Sequence, residues 1–353
     1  MAAQRSERWQ PVDFEPYSDP RYTYLDQVGR ELYKSINASI APESIYDWLK
    51  VAIEKIAPAD NAGAIMEWPV SFDIYDAEIE RRIELARLPE AERKLFNWPW
   101  PSWNEYIDPI EAGILVVIAG PDGSGKTTYA ENIAEYWARK GQRVAFVHFE
   151  LSKIIMLDRR AVRHTAIARR QLKLAGELTT KDLHDLEAAK RRLLAWPGEI
   201  TYLHTPGKSI ELVVRELGKL RTAGKCDVAV IDYLEKASPS SAQLKAYGAN
   251  QFQREANDVD LLKNFSEEHG VPMLLLSQFN KAGKAVSFQD LDRGAIRGAG
   301  EKTEKANVVV LLQPDKTTGT TINLKLDKNT LGPRGTWAQF IDLPRFQIGD
   351  MAK

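Results

Sequence analysis

The segment from Gly120 to Ala134 reads GPDGSGKTTYAENIA, and its first half fits G-x-x-x-x-G-K-[ST] with Gly120, Gly125, Lys126 and Thr127 at the fixed places. Residues of these types at this spacing do phosphate chemistry. Gly120, Gly123 and Gly125 let the backbone wrap closely around an anion, so that the N–H groups from Ser124 to Thr128 and the start of a following helix can point at it. The Lys126 ammonium can reach the β- and γ-phosphates, and the Thr127 hydroxyl can ligate Mg²⁺. The motif demands a strand before it and a helix after it. ILVVIA precedes it, and a helical pattern follows.

Further polar residues stand at the ends of apolar runs. DVAVIDY places Asp232 where a second oxygen ligand for Mg²⁺, or for its water, belongs. VAFVHFELS places Glu150 where a carboxylate can orient and deprotonate water attacking a γ-phosphate. PMLLLSQFN places Gln278 where an amide can hydrogen-bond that phosphate or the water. Each is unremarkable alone, because strands leave the core at such points. Behind a phosphate loop, and in this order, they reinforce one another as an ATP- and Mg²⁺-dependent site.

The elements that must position these residues are legible from Ile114 onward. Apolar runs (ILVVIA, RVAFVHF, EITYLH, DVAVID, PMLLLS, NVVVLL) alternate at first with helical stretches, which predicts an α/β domain with a mostly parallel sheet flanked by helices. In such open sheets ligands bind at the carboxyl edge. Upstream, DAEIERRIELARLPEAERKLFNW reads as helix interrupted by Pro89, and WPWPSWNEYIDP reads as a linker, its Trp98, Trp100 and Trp103 serving packing or a docking hinge rather than base stacking. A small, mainly helical N-terminal region is expected, with one helix near PESIYDWLKVAIEKIAP. The expected division is 1–75, 76–104 and 105–353.

A chain of 353 residues with formal net charge −1 gives no global pull toward nucleic acid or membrane, so any nucleic-acid contact must be a local patch. The loop from Phe279 to Gly300 supplies such a patch: Lys281, Lys284, Arg293 and Arg297 are interleaved with Gly283, Gly294, Gly298 and Gly300. A flexible solvated loop is the competing reading. The Arg-rich stretch RRAVRHTAIARRQLK reads chiefly as a charged helix face, as at a subunit contact. One cysteine, Cys226, excludes an internal disulfide and a Cys-rich zinc module. The start of the sequence lacks a signal-peptide core and no apolar run approaches membrane-spanning length, so a cytoplasmic, membrane-free protein is expected.

From about Pro101 to Gly335 the sequence resembles the DnaB-type replicative helicases of the RecA-like superfamily. The likeness is carried by GPDGSGKTTYAENIA, VAFVHFELSKIIMLDR, VAVIDYLEK, PMLLLSQFNKAG, AIRGAGEKTEKANVVVLL and KLDKNTLGPRG, in that order. The FELS segment, the SQ-N strand end and the R-G-x-G loop are the more particular of these. The resemblance implies that Glu150 is the catalytic glutamate, Asp232 the Mg²⁺-associated aspartate and Gln278 the sensor. It implies a hexameric ring around single-stranded DNA with ATP between neighbouring subunits, a linker helix at residues 76–97, and a DNA grip at Arg297, Gly298 and Gly300, beside Lys281 and Lys284. For residues 1–75 two readings stand side by side, docking of a loader, primase or polymerase and simple structural packing.

One departure stands in DKNTLGPRG. The family pattern has a lysine and, two residues on, an arginine that reaches a neighbour's γ-phosphate; here Lys328 matches and Thr330 stands at the arginine position. Arg334, farther along the same turn, is the candidate replacement, and Lys328 acting alone is the other. The departure keeps a non-motor ATPase switch in view. A RecA- or RadA-like recombination protein would share the core but not the FELS and R-G-x-G segments.

Overall fold

In a computed structural model of the chain, the described residues are 20–38 and 68–351, with Ser44, Ile45, Trp48, Leu49 and Ala52 between them. The helix expected between Pro42 and Pro58 lies, apart from those positions, outside the described residues. The chain divides into two units, Met1–Glu80 and Arg81–Lys353. The first contains helix α1, Pro20–Asn37. Helix α2, Trp68–Arg87, runs across the division and stops ahead of Pro89, whose ring disfavours helical geometry in the residue before it.

The second unit is built on a nine-stranded sheet in the order β3-β2-β4-β5-β1-β6-β7-β8-β9. Its parallel strands are β1 (Leu115–Gly120), β2 (Arg143–His148), β3 (Glu199–His204), β4 (Val228–Asp232), β5 (Met273–Gln278) and β6 (Val308–Pro314). Strands β7 (Thr321–Asn329), β8 (Gly335–Asp342) and β9 (Gln347–Asp350) extend it antiparallel. The α/β reading of the apolar runs is what the chain forms. Register brings the strand ends level: Gly120 pairs with Gln278, and His148 with Asp232. Loops leaving β1, β2, β4 and β5 therefore emerge along one carboxyl edge.

Alternation sends successive side chains to opposite faces, and helices cover both. Val116, Ile118, Phe146, Val230 and Leu276 pack beneath helix α4 (Lys126–Arg139), whereas Val117, Val147, Ile231 and Leu275 pack against α8 (Ile210–Thr222) and α10 (Gln251–His269). Between β2 and β3 run α5 (Lys153–His164), α6 (Arg169–Lys173) and α7 (Thr180–Leu194); α3 is the short turn Pro101–Asn104 and α9 is Ser241–Tyr247.

The aromatic stretch before β1 joins the core of this unit. Trp98, Trp100 and Trp103 are buried and lie within 5.0–6.0 Å, ring centre to ring centre, of one another or of Tyr129 and Trp137. Their indoles are satisfied: Trp100 donates to the Ile348 carbonyl (3.0 Å) and Trp103 to Gln339 Oε1 (2.9 Å). Of the readings open for this stretch, the burial is that of packing: indoles with partners for their N–H groups belong inside a core. Among the described residues no helix is long and apolar enough to cross a membrane.

Candidate functional site

The carboxyl edge carries a cleft of about 720 Å³. Asp122, Gly123, Gly125, Lys126, Thr127 and Thr128 form its floor, and Glu150, Asp232 and Gln278 close on it from the ends of β2, β4 and β5. The sequence therefore names residues that the fold brings together, although they are spread over more than 150 positions. Gly120 ends β1 beneath the loop, where an added Cβ would sit 2.7 Å from Ser124 Oγ and 2.9 Å from the Leu312 carbonyl oxygen; only glycine fits that approach. Gly125 takes φ +86°, a left-handed turn into α4.

The floor is furnished for an anion. Lys126 Nζ donates to the carbonyl oxygens of Gly120 (2.9 Å) and Pro121 (2.8 Å), curled over the loop, and its burial lowers its pKa. Ser124 Oγ is buried with no hydrogen-bond partner, and a Cβ on Gly123 would meet open space. An orphaned hydroxyl beside an open glycine is what a phosphate-shaped ligand would complete. Asp232 is buried, and burial raises its carboxyl to about 6, opposed by a hydrogen bond from the Thr127 hydroxyl. Hydroxyl and carboxylate oxygens suit Mg²⁺. Among the described residues no group of His, Cys, Asp and Glu could hold a metal by itself, so an ion here would lean on phosphates and water, as Mg²⁺ does. The donor set fits the ion.

Glu150 stands in the open mouth, its side chain 55% exposed, with Lys236 Nζ at 3.8 Å and the Tyr233 hydroxyl beside it. Burial first, and then the nearby Glu150 carboxylate, holds the Tyr233 phenol above its ordinary range.

Sequence reasoning did not single out Arg159, Leu343 and Phe346 in the cleft wall, nor Tyr233, Glu235 and Lys236 just after Asp232. The Arg-rich helix read as a charged surface is instead partly internal, and this corrects that expectation. Arg159 donates to both oxygens of Glu131 (2.9 and 3.1 Å) and to Thr128 Oγ1 (3.1 Å), and Arg163 donates to the same Glu131 and to Glu135. The reason is register: Glu131 and Glu135 on α4 face Arg159 and Arg163 on α5, each pair one helical turn apart, so buried charges are matched. Arg159 also lies 4.0 Å over the ring of Phe346, whose carbonyl accepts from Asn132. The β8–β9 turn thereby folds over the phosphate loop, and nothing local to Leu343 or Phe346 announces it.

The basic loop after β5 is closed rather than open. Asn280 Nδ2 donates to the Gly294 carbonyl (2.8 Å) and its Oδ1 accepts from Gly283 N (2.7 Å); Phe279 bridges to Ile296. A Cβ on Gly283 would lie 2.5–2.7 Å from Ala295, so the two limbs touch backbone to backbone. Lys284 pairs with Asp122 of the phosphate loop, whereas Lys281 is exposed. Arg297 borders the nucleotide cleft, its N–H donating to the Gln278 carbonyl (2.8 Å). Gly298 (φ +65°) and Gly300 begin helix α11, Ala299–Lys305.

Lys328 and Arg334 are not part of this cleft. Asn329 at the end of β7 pairs with Val308 at the start of β6, so the turn after β7 sits at the amino edge, on the far side of the sheet. Lys328 Nζ donates to the carbonyls of Thr303 (2.9 Å) and Glu304 (2.7 Å) at the end of α11. Arg334 is exposed and forms no ion pair among the described residues. Thr330 donates its N–H to the Asn307 carbonyl.

Residues 101–341 match the model of the DnaB-like helicase C-terminal domain, and the chain belongs to that family. It is a RecA-like ATPase of the replicative helicase type. No curated protein matches it. Among solved structures it is similar to an isolated ATPase domain (17% identity, 79% of this chain and 98% of that one, TM-score 0.69). It is also similar to a DnaB-like replicative helicase whose interactions with primase have been described (16% identity, 94% of this chain and 77% of that one, TM-score 0.68). At such identities these likenesses speak for the fold.

Proposed function

We propose that this chain is the motor of an ATP-driven helicase that moves along single-stranded DNA, working in a ring whose nucleotides lie between neighbouring subunits. The observation that carries the reading is the opposition of edges: a cleft holding Lys126, Thr127, Glu150, Asp232 and Gln278 on one, and the exposed Arg334 on the other. One copy cannot bring them together; a neighbour's amino edge can.

In this reading Lys126 swings from the loop carbonyls to the phosphates of ATP. Thr127 and Asp232 would hold Mg²⁺, which when bound neutralises phosphate charge. Glu150 orients water and takes its proton, with Lys236 and Tyr233 restraining the carboxylate. Gln278 hydrogen-bonds the γ-phosphate, and its carbonyl accepts from Arg297 N, so a change at the nucleotide is felt by the basic loop one hydrogen bond away. Lys281, Lys284, Arg297, Gly298 and Gly300 supply a grip on the sugar-phosphate backbone without reading bases. Arg334 of a neighbour stabilises charge on the γ-phosphate as it transfers.

Thr330 at the finger position favours a second reading, an assembly-coupled ATPase switch with no use for DNA. ATPase rate with and without single-stranded DNA, on protein of measured assembly state, separates the two. Strong stimulation in a closed ring is the outcome for the motor; a ring indifferent to DNA points to the switch, and an open filament to a strand-exchange protein.

A further inference from the structure

Helix α11 carries a lysine in an unusual place. GEKTEK reads as a charged surface turn, yet Lys302 is 1% exposed. Its ammonium donates to three acceptors: Glu235 Oε1 at 2.9 Å, Glu255 Oε2 at 2.7 Å and the Arg297 carbonyl at 2.9 Å. Three N–H groups and three acceptors leave the cation fully satisfied, as a buried charge requires.

Each acceptor belongs to a different part of the machine. Glu235 follows Asp232 by three residues, and the same Oε1 also accepts from Ser277 Oγ and from the backbone N–H of Gln278 (3.2 Å). Glu255 stands in the first turns of α10. Arg297 is the first residue of the candidate grip, and its guanidinium lies 3.5 Å from Gln251 Oε1 on that helix. One ammonium thus joins the segment after β4, the end of β5, the Arg297 backbone and α10. Gly298 is the counterpart that makes room. A Cβ there would sit 2.7 Å from Glu255 Oε2 and 3.5 Å from Lys302 Nζ, so a side chain would push apart the pair that Lys302 closes.

We propose that Lys302, with Glu235 and Glu255, is the positioning element that couples nucleotide state at the β4 and β5 ends to the conformation of the Arg297 loop. It deepens the motor reading and rests on it. Removing one member of such a buried set leaves an uncompensated charge, whereas replacing the whole set by neutral groups is often tolerated, so positioning accounts for the set better than net stability does. The ammonium touches neither nucleotide nor nucleic acid; it acts by holding Glu235 against Gln278 on one side and the Arg297 carbonyl on the other.

The test compares the wild-type ring with Lys302→Met and with the neutral triple variant Lys302→Met/Glu235→Gln/Glu255→Gln, which removes the unbalanced carboxylates that could unfold the single one. Two ratios are read: ATPase with oligo-dT over ATPase without it, and oligo-dT affinity with a non-hydrolysable ATP analogue over affinity without nucleotide. The triple variant is expected to fold and to bind the analogue; each ratio is normalised to the variant's own DNA-free or nucleotide-free value, so a change in basal rate cancels, and both ratios fall toward one, a loss of about tenfold for a coupling of typical size. A triple variant that retains both wild-type ratios overturns the role of Lys302 and leaves the motor reading intact. A wild-type ring whose ratios are already one overturns the motor reading, and the coupling with it.

Discussion

The two edges of the sheet make an instructive contrast. At the carboxyl edge, four strand ends converge in one register, charges are buried and matched, and the Glu131–Arg159–Thr128 contacts fix the phosphate loop from the side. At the amino edge, the turn from Thr330 to Arg334 carries an exposed guanidinium with no ion-pair partner among the described residues. In the proposed ring the first edge supplies the cleft, and the second completes the cleft of a neighbouring copy. Lys328 lies at the same amino edge but is engaged: bound to two carbonyls, it holds the end of α11 where the helix dipole favours a cation. In this geometry Arg334 is the freer of the two cations to act on a neighbour.

The largest effects should come from the carboxyl edge. Glu150→Gln should lower ATP turnover by about 10³-fold while leaving nucleotide binding in place, since only the proton acceptor is removed. Lys126→Ala should abolish binding itself, read by fluorescent-nucleotide titration. Wild-type turnover in the Glu150 variant would take that carboxylate out of the catalytic role.

At the amino edge the expected effect is smaller and purely kinetic. Arg334→Ala should reduce kcat by about 10²-fold with ATP affinity unchanged, because the guanidinium stabilises charge that develops in transfer. Thr330→Arg should then add little. A normal rate for Arg334→Ala, together with a large gain for Thr330→Arg, would mean that the interface lacks a finger.

Arg297→Ala should weaken binding to single-stranded DNA and flatten the plot of log affinity against log salt by about 0.7 for each phosphate that the side chain neutralises. Because Arg297 also borders the cleft, basal ATPase in this variant serves as the control on whether its role is confined to the grip. An unchanged salt slope would mean that the loop does not hold the nucleic-acid backbone.

The smallest effect concerns pH. Burial, chiefly, raises the carboxyl of Asp258 on α10 to about 7, with Gln243 donating to it at 2.6 Å and Glu211, Glu255 and Lys302 nearby. The folded state keeps this proton where the unfolded chain has lost it, so stability falls as pH rises between the ordinary carboxyl value and about 7. Asp258→Asn should remove that slope and gain ~1–3 kcal/mol over wild type near pH 8. Parallel stability–pH curves for the two proteins would contradict it.

How much of this the sequence discloses follows from the physics of each part. The phosphate loop and the strand-end residues Glu150, Asp232 and Gln278 are legible because their chemistry dictates residue type and their strands dictate place. Arg159 and Arg163 are readable only as a match, at equal spacing, with Glu131 and Glu135 on a helix 28 residues away, a pairing that needs the fold to choose it. Leu343 and Phe346 reach the cleft because β7 leads the chain away from the carboxyl edge and β8 returns it there. Lys302 hides in a stretch whose composition is that of a surface. The tryptophans before β1 show the same limit: proline and aromatic richness reads as a linker until Tyr129, Trp137 and Trp337 are found around it.

The central claim is that a nucleotide site is finished by a neighbour's amino edge, and subunit mixing tests it most directly. Glu150→Gln subunits have an intact Arg334 and a dead cleft; Arg334→Ala subunits have an intact cleft and no finger. Mixed and reassembled, they should show ATPase activity clearly above the weighted sum of the two alone, because some interfaces join a working cleft to a working arginine. Activity no higher than that sum at every ratio, in assemblies shown to contain both subunits, would contradict the account.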